Sequence, residues 1–125
     1  MVIDHIKSLK ETHIQSVLIV EDDLLHQKAI NDFLKHHHEI NIKNVTSVKD
    51  AIENLTNNYY DLTIVDLKLS DGTGSDVCKF IKNENIETST IIYTGKELSI
   101  EESDYLSSIS DEIIIKNLNS HERSK

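Results

Sequence analysis

The segment LTIVDLKLSDGTG, residues 62–74, joins a short apolar run to a turn of small and polar residues. Its first four residues are apolar or β-branched, which is typical of a strand buried on both faces. Asp66 follows that run immediately. The segment therefore predicts a buried strand that ends at an aspartate at the start of a loop.

Similar apolar runs recur along the chain and alternate with helical patterns, while apolar and polar residues alternate at 40–45, as is typical of an edge strand. The predicted strands are residues 16–20, 40–45, 62–66, 90–94 and 112–116. The predicted helices cover about 25–37, 48–55, a segment that begins near residue 74, and 99–108. Strict alternation of strands and helices predicts a doubly wound α/β fold with a five-stranded parallel sheet, because each parallel crossover needs a long connection.

Two details define the predicted helices more closely. The apolar residues of the first helix recur at three- and four-residue spacing and predict one buried stripe, formed by Leu25, Ala29, Ile30, Phe33 and Leu34. The second and fourth helices begin with the pattern of a capping box, given by the pairs Ser47 with Asp50 and Ser99 with Glu102. Both features predict where helices start and which face is buried.

Composition limits the possible functions. With 125 residues and one cysteine, Cys78, the chain suits a single domain in a reducing compartment, and we expect a cytoplasmic protein. The net charge of −9 disfavours nucleic acid and anionic lipid surfaces as partners. No apolar stretch approaches the length of a membrane span, so we expect no membrane insertion. A protein partner or a metal ion is the better expectation.

Polar residues follow the predicted strands at their carboxyl ends. They are Glu21, Asp22, Asp23, Asp66, Thr94 and Lys116. In parallel sheets ligands bind beyond the carboxyl ends of the strands, so these side chains should converge. Clustered carboxylates favour a hard cation such as Mg²⁺. An exposed aspartate beside a cation can attack phosphorus, and an ammonium and a hydroxyl can hold the phosphoryl oxygens.

Four segments together resemble the receiver domains of bacterial two-component signalling. They are VLIVEDD, DLTIVDLKLSDGTG, IIYTG and EIIIK, in that order, within residues 16–118. The resemblance implies a flavodoxin-like receiver fold with strand order 2-1-3-4-5. It also implies that a histidine kinase or a phosphotransfer domain is the partner that donates the phosphoryl group, with a homodimer as a further possibility.

The resemblance assigns a role to each matched position. Asp66 would be the phosphoacceptor, Thr94 the switch hydroxyl, and Lys116 the residue that holds the phosphoryl oxygen. Glu21 and Asp22 would serve Mg²⁺ together with Asp66 and the backbone carbonyl of Lys68. Such a domain catalyses only its own phosphorylation and dephosphorylation, although a parent protein could be a histidine kinase.

The chain departs from the family pattern at both ends and in one strand. Residues 14–119 correspond to the receiver, whereas the family's fifth helix is missing or truncated to a remnant at 120–125. Residues 1–13 carry an apolar stripe that predicts an atypical N-terminal helix or linker. Ile113 stands where many receivers have an aromatic residue. The segment from residue 91 onward resembles receivers embedded in hybrid sensor histidine kinases, which would make the chain an excised module.

Other interpretations of the same residues are weaker. The tract KHHHE, residues 35–39, is typical of a solvated helix end, since adjacent histidines on a helix point apart. A calcium loop would need acids at Lys68 and Val77, and a haloacid-dehalogenase-type phosphatase would need one at Lys68. The acidic run at 21–23 taken alone would be a solvated turn.

One alternative function stays open at this point. The chain could be a phosphorylation-independent interaction module, a pseudo-receiver in which Ile113 marks a decayed switch. A decayed site has no chemical reason to keep all five residue types of the predicted site, so their joint presence argues against this interpretation; they are Glu21, Asp22, Asp66, Thr94 and Lys116.

Overall fold

The protein forms one main parallel sheet with helices on both faces. The computed structural model describes residues 14–37 and 39–116. Its strands are β1 (Ser16–Val20), β2 (Asn41–Val45), β3 (Leu62–Val65), β4 (Lys68–Leu69), β5 (Gly72–Thr73), β6 (Ser89–Thr94) and β7 (Glu112–Ile115). Its helices are α1 (Leu24–His37), α2 (Val48–Asn57), α3 (Gly74–Asn83) and α4 (Ile100–Ile109). The predicted N-terminal helix at 1–13, the remnant at 120–125 and the state of the fifth helix lie outside the described residues.

The topology confirms the predicted fold class. The main sheet has the order β2-β1-β3-β6-β7, and all of its pairings are parallel. Counted without the short β4 and β5, this is the order 2-1-3-4-5 of a flavodoxin-like receiver fold. The two short strands form a separate antiparallel pair directly after β3.

The central strands are buried on both faces, which explains their continuous apolar sequences. Alternate side chains of β1 and β3 enter different core clusters. Leu18, Val20 and Val65 pack with residues of α2, α3 and α4, whereas Val17 and Ile64 pack with residues of α1. Each of these strands therefore contributes side chains to two apolar layers. A shift in register by one residue would exchange the side chains that enter the two layers.

The first helix presents a different stripe from the one predicted. Ile30 and Leu34 are buried as expected, but Leu25 is 79% exposed and Ala29 is also exposed. The prediction was therefore wrong for Ala29 in the second turn and for Leu25 in the first turn. That turn lies beyond the carboxyl end of β1, where the apolar layer stops, and the half-buried residue at the inward position is His26.

A hairpin after β3 was not predicted. Residues Lys68–Leu69 pair with Gly72–Thr73 in a two-stranded antiparallel ladder, and Asp71 lies in the turn. The Asp71 carboxylate accepts hydrogen bonds from the backbone N–H groups of Val48 at 2.7 Å and Lys49 at 3.1 Å. These bonds lower the pKa of Asp71, the Val48 bond most. The hairpin thus caps the first turn of α2.

The helix starts agree with the capping patterns to different degrees. At α4 both hydrogen bonds of the capping box between Ser99 and Glu102 are present, as predicted. At α2 the Ser47 side chain accepts the bond from the Asp50 backbone N–H. None of the helices in the described part of the chain has the length and apolar character that a membrane span requires.

Candidate functional site

The sheet continues one residue beyond three of its strands, and this fixes the site. The backbone N–H of Glu21 donates to Val45, that of Asp66 donates to Val20, and that of Lys116 donates to Thr94, at 3.0, 3.0 and 2.7 Å. Each functional residue is therefore held by the ladder rather than by a free loop. Residues separated by as many as 95 positions meet at one edge of the sheet.

The ammonium group of Lys116 is the centre of this site. It donates hydrogen bonds to Glu21 Oε1 at 2.9 Å and to Asp66 Oδ2 at 3.1 Å. The Lys116 side chain is 3% exposed, that of Glu21 2% and that of Asp66 11%. Neighbouring carboxylates keep the pKa of Lys116 raised although burial opposes this, so the group stays cationic.

Glu21 is the most strongly perturbed acid of the site. Burial raises its pKa to about 7, the bond from Lys116 opposes this, and the nearby Asp66 carboxylate raises it further. Two carboxylates thus share one ammonium in a place where water has little access. This arrangement leaves excess negative charge that a further cation would neutralise.

The two aspartates that follow Glu21 make different contacts. Asp22 is exposed and lines the cleft above Asp66. Asp23 instead accepts hydrogen bonds from the backbone N–H groups of Leu25 and His26, at 2.9 and 3.2 Å, and so caps α1. These bonds lower the pKa of Asp23, the His26 bond most. Both aspartates line the cleft, and Asp23 is in addition held to the start of α1 by these two bonds.

The loop after Asp66 is held close to the start of α3. Lys68 is exposed and lines the same cleft, whose volume is about 1010 Å³. The backbone N–H of Gly74 donates to the carbonyl of Leu67 at 2.9 Å. A methyl group at Gly74 would lie 2.9 Å from the Asp66 carbonyl carbon and closer still to its oxygen. Only glycine permits this approach, which places the loop.

Thr94 supplies a buried hydroxyl at the end of β6. It is 1% exposed, and its Oγ1 accepts a hydrogen bond from the backbone N–H of Lys96 at 3.1 Å. Thr94 also lines the cleft that contains Asp66 and Lys116. The hydroxyl hydrogen remains available as a donor, because Oγ1 is the acceptor in the bond with Lys96.

Ile113 and Tyr93 lie on opposite faces of the sheet. Ile113 is half-buried and packs against the cluster under α2, α3 and α4. Tyr93 packs with the α1 cluster, and the Lys116 ammonium lies 5.0 Å from the centre of its ring. Tyr93 therefore contributes to holding Lys116, whereas an aliphatic side chain occupies the position of Ile113 beside α4.

His26 also belongs to the site, although it is not among the predicted site residues. Its Nδ1 lies 3.0 Å from Lys116 Nζ and 3.7 Å from Glu21 Oε1. One signal could have found it: His26 lies four residues before Ile30 and therefore extends the buried stripe of α1 into the site. Of the predicted residues, Glu21, Asp66 and Lys116 are in direct contact, with Asp22, Lys68 and Thr94 around the same cleft.

The donor atoms fit a hard divalent cation. Among the described residues, one cluster could hold a metal ion; it consists of ligand atoms from Glu21, His26 and Asp66 within 4.8 Å of one another. Two of these three groups are carboxylates, the ligand type that Mg²⁺ prefers. Asp22 adds a further carboxylate in the cleft.

Comparison with known proteins agrees with this geometry. The family profile of the response regulator receiver domain matches residues 17–123. The transcriptional regulatory protein CiaR of Streptococcus pneumoniae is 31% identical over 81 residues. That alignment covers 65% of this chain and 35% of CiaR, so the chain spans about a third of the length of this curated relative.

Solved structures show the same fold. The signal receiver domain assigned to a Luxo repressor protein of Vibrio parahaemolyticus is 28% identical, with a TM-score of 0.77 over 89% of this chain and 85% of that one. A two-component response regulator of Clostridium difficile is 28% identical, with a TM-score of 0.71 over 86% and 87%. The response regulator TrrA of Thermotoga maritima, solved with Mg²⁺ and BeF, is 22% identical, with a TM-score of 0.73 over 89% and 94%. The chain therefore belongs to the response regulator receiver domain family.

Proposed function

We propose that this receiver accepts a phosphoryl group on Asp66 from the phosphohistidine of a histidine kinase or a phosphotransfer domain. The observation that carries the proposal is the contact of Lys116 with both Asp66 and Glu21 at the edge of an open cleft. An ammonium held against a nucleophilic carboxylate can also hold the oxygens of a phosphoryl group that arrives there.

The proposed transfer needs few covalent changes. The bond between phosphorus and the imidazole nitrogen of the donor breaks, and a bond from phosphorus to an Asp66 carboxylate oxygen forms. The imidazole leaves with the electron pair, and the product is an acyl phosphate. Lys116 balances charge on the phosphoryl oxygens, and the Thr94 hydroxyl donates to one of them.

A divalent cation supports the same chemistry. We infer that Asp22, Asp66 and the Lys68 carbonyl hold Mg²⁺, with Glu21 as the deeper acid of the pocket. When bound, this cation would supply positive charge beside the carboxylates and the phosphoryl oxygens. TrrA, a relative of similar fold, was solved with Mg²⁺ and a phosphoryl-like BeF group, which agrees with this inference.

The unit that carries out this function is proposed to be residues 14–119, flanked by residues 1–13 and 120–125. Phosphorylation would bias the loop after Thr94 and helix α4 between two arrangements, and so change which protein surfaces bind. A homodimer and an origin in a hybrid sensor histidine kinase are finer parts of this proposal, and each needs its own test.

Intact-mass spectrometry tests the proposal directly. The chain is incubated with Mg²⁺ and acetyl phosphate, beside Asp66→Asn, Asp71→Asn and a sample containing a chelator. Asp71 is a matched control, because it lies five residues away in the same loop but caps α2. We expect one added phosphoryl group in the wild type and in Asp71→Asn, and none in Asp66→Asn or without a divalent cation.

Two outcomes would contradict the proposal. Labelling that persists in Asp66→Asn would place the acceptor elsewhere. A folded wild type that gains no mass from acetyl phosphate or from a panel of phosphorylated histidine kinases would favour the phosphorylation-independent interaction module.

A further inference from the structure

His26 lies in the site, but neither the proposed phosphoryl transfer nor the proposed set of Mg²⁺ ligands assigns it a role. It lies in the first turn of α1, and its side chain is 36% exposed. Its Nδ1 is directed at the Lys116 ammonium, 3.0 Å away. The imidazole therefore spans from the cleft to the buried centre of the site.

The three donors of Lys116 meet three acceptors. These are Glu21 Oε1 at 2.9 Å, His26 Nδ1 at 3.0 Å and Asp66 Oδ2 at 3.1 Å. An ammonium group has three N–H donors and no lone pair, so Nδ1 of the imidazole must accept. With Nδ1 as the acceptor, the N–H of an imidazole that carries one ring proton is on Nε2. The face of the Tyr93 ring lies 5.0 Å from the same ammonium and adds a cation–π contact.

We propose that His26 is a positioning residue that holds the Lys116 ammonium beside Asp66 by accepting its third N–H. Hydrogen bonds from an ammonium to carboxylates are stronger than a bond to a neutral ring nitrogen. The bond to His26 is therefore the one that a phosphoryl oxygen replaces when it arrives at Asp66. This second step rests on the proposed function, whereas the positioning contact itself does not.

The positioning contact has a spectroscopic signature. Imidazole ¹⁵N spectra are recorded at about pH 8.5, where free imidazole is neutral, for the wild type, Lys116→Met and Lys96→Met. Lys96 is the matched control, because its ammonium pairs with Glu102 at the rim of the same cleft. We expect the Nε2–H tautomer in the wild type, and a shift of the His26 Nδ1 resonance in Lys116→Met but not in Lys96→Met.

Two spectral results would overturn the proposal. The first is an Nδ1–H tautomer in the wild type, because that nitrogen could then not accept from Lys116. The second is a His26 Nδ1 resonance that stays in place when Lys116 is replaced. Neither result requires the protein to be phosphorylated, so both are separate from a failure of the proposed function.

The functional consequence is measured by the rate of phosphorylation with acetyl phosphate. His26→Leu removes the acceptor, whereas His26→Asn keeps an amide oxygen near the position of Nδ1. We expect the rate to fall about tenfold in His26→Leu, since a hydrogen bond to a charged group is lost, and to recover largely in His26→Asn. Thermal unfolding confirms that both variants fold.

Equal rates in the wild type, His26→Leu and His26→Asn would refute the functional part of the inference. An equal loss in both variants would refute it too, because shape rather than the accepted hydrogen bond would then matter. If the wild type itself is never labelled, the proposed function fails, and the ¹⁵N spectra still decide whether His26 holds Lys116.

Discussion

Glu21 shows most clearly how burial and charge compete at the level of a single residue. The residue is 1% exposed, and its carboxyl group pairs with Lys116 and lies beside Asp66. A buried ion pair contributes little net stability, because desolvation offsets the attraction. Here the second carboxylate adds repulsion, and the pKa of Glu21 rises from 4.5 to about 7. The site therefore favours binding of positive charge at the cost of the stability of the fold.

The raised pKa predicts a pH dependence of stability. A group whose pKa is higher in the folded state stabilises the fold fully below its ordinary value, here 4.5, and this contribution is lost as the pH rises through about 7. We expect the free energy of unfolding of the wild type to fall over this range relative to Glu21→Gln. Urea denaturation in a chelator at a series of pH values measures this difference. Parallel pH profiles of the two proteins would contradict the prediction.

Gly74 predicts a second effect at the level of one residue. A methyl group there would collide with the Asp66 backbone, and relief of this collision would displace the loop after Asp66. We expect Gly74→Ala to lower the free energy of unfolding by about 3 kcal/mol, although alanine normally favours a helix.

Gly72→Ala is the matched control for this substitution. Its new methyl group would lie 2.8 Å from the Asp76 carboxylate, at the end of a side chain that can rotate, and 3.2 Å from a methyl group of Val48. Rotation of Asp76 would break the hydrogen bond that its carboxylate accepts from the backbone N–H of Thr73 at the start of α3. We expect a loss of about 1 kcal/mol or less, the usual size of a lost helix cap. Urea denaturation compares the two variants, and equal losses would show that the approach to Asp66 is not the cause.

At the level of elements, aspartates connect strands that are far apart in sequence. Asp61, just before β3, accepts hydrogen bonds from the backbone N–H groups of Gln15 and Ser16, at 2.8 and 3.1 Å. Asp111, just before β7, accepts one from the backbone N–H of Thr90 at 2.7 Å. Each aspartate thus satisfies a backbone donor at the amino-terminal end of a neighbouring strand, opposite the functional edge.

Asp61 predicts an acid-sensitive contribution to stability. The bond from Gln15 is the largest cause of its lowered pKa. A lowered pKa means that the contribution is present above the ordinary value of 3.8 and is lost as the pH falls below it. We expect Asp61→Asn to lose about 1 kcal/mol at neutral pH and to be less sensitive to acid than the wild type. The control is Asp104→Asn on the exposed face of α4, and similar pH profiles for both variants would refute the assignment.

The elements differ in how far they could be predicted. The central strands were predictable, because burial on both faces requires continuous β-branched and aliphatic runs. The edge strand β2 was predictable from its alternation of apolar and polar residues instead. The strands β4 and β5 were not, because two-residue strands have no measurable periodicity. Leu25 in the first turn of α1 was wrongly predicted to be buried. An apolar stripe is buried only where the helix packs on the sheet, and this turn lies beyond the end of the sheet.

The site was predictable wherever the end of a strand fixed the position of a side chain. Glu21, Asp66 and Lys116 meet because the backbone ladder extends to each of them. His26 carries no motif, and its spacing from Ile30 indicates only that it faces inward. Its contact with Lys116 depends on the orientation of the first turn of α1, which the spacing does not determine. The capping role of Asp23 was not predictable either, because any of the three acids at 21–23 has a side chain that can accept hydrogen bonds at a helix start.

For the whole molecule, the net charge of −9 and the crowded carboxylates predict stabilisation by divalent cations. A ligand that binds only the folded state adds about 1.4 kcal/mol at ten times its dissociation constant. We expect Mg²⁺ to raise the Tm of the wild type more than NaCl at equal ionic strength. This excess should be lost in Asp22→Asn and Asp66→Asn and kept in Asp71→Asn. An equal rise in all four proteins would show general screening of charge instead.

The Asp71 cap affects which part of the molecule can move when the site at Asp66 changes. It fastens the loop after Asp66 to the first turn of α2 through two backbone hydrogen bonds. On the other side of the cleft, the loop after Thr94 is restrained by a local bond to Lys96 and by an exposed ion pair between Lys96 and Glu102. An exposed ion pair contributes less than about 1 kcal/mol. We therefore expect a change at Asp66 to displace the loop after Thr94 and α4 more readily than α2.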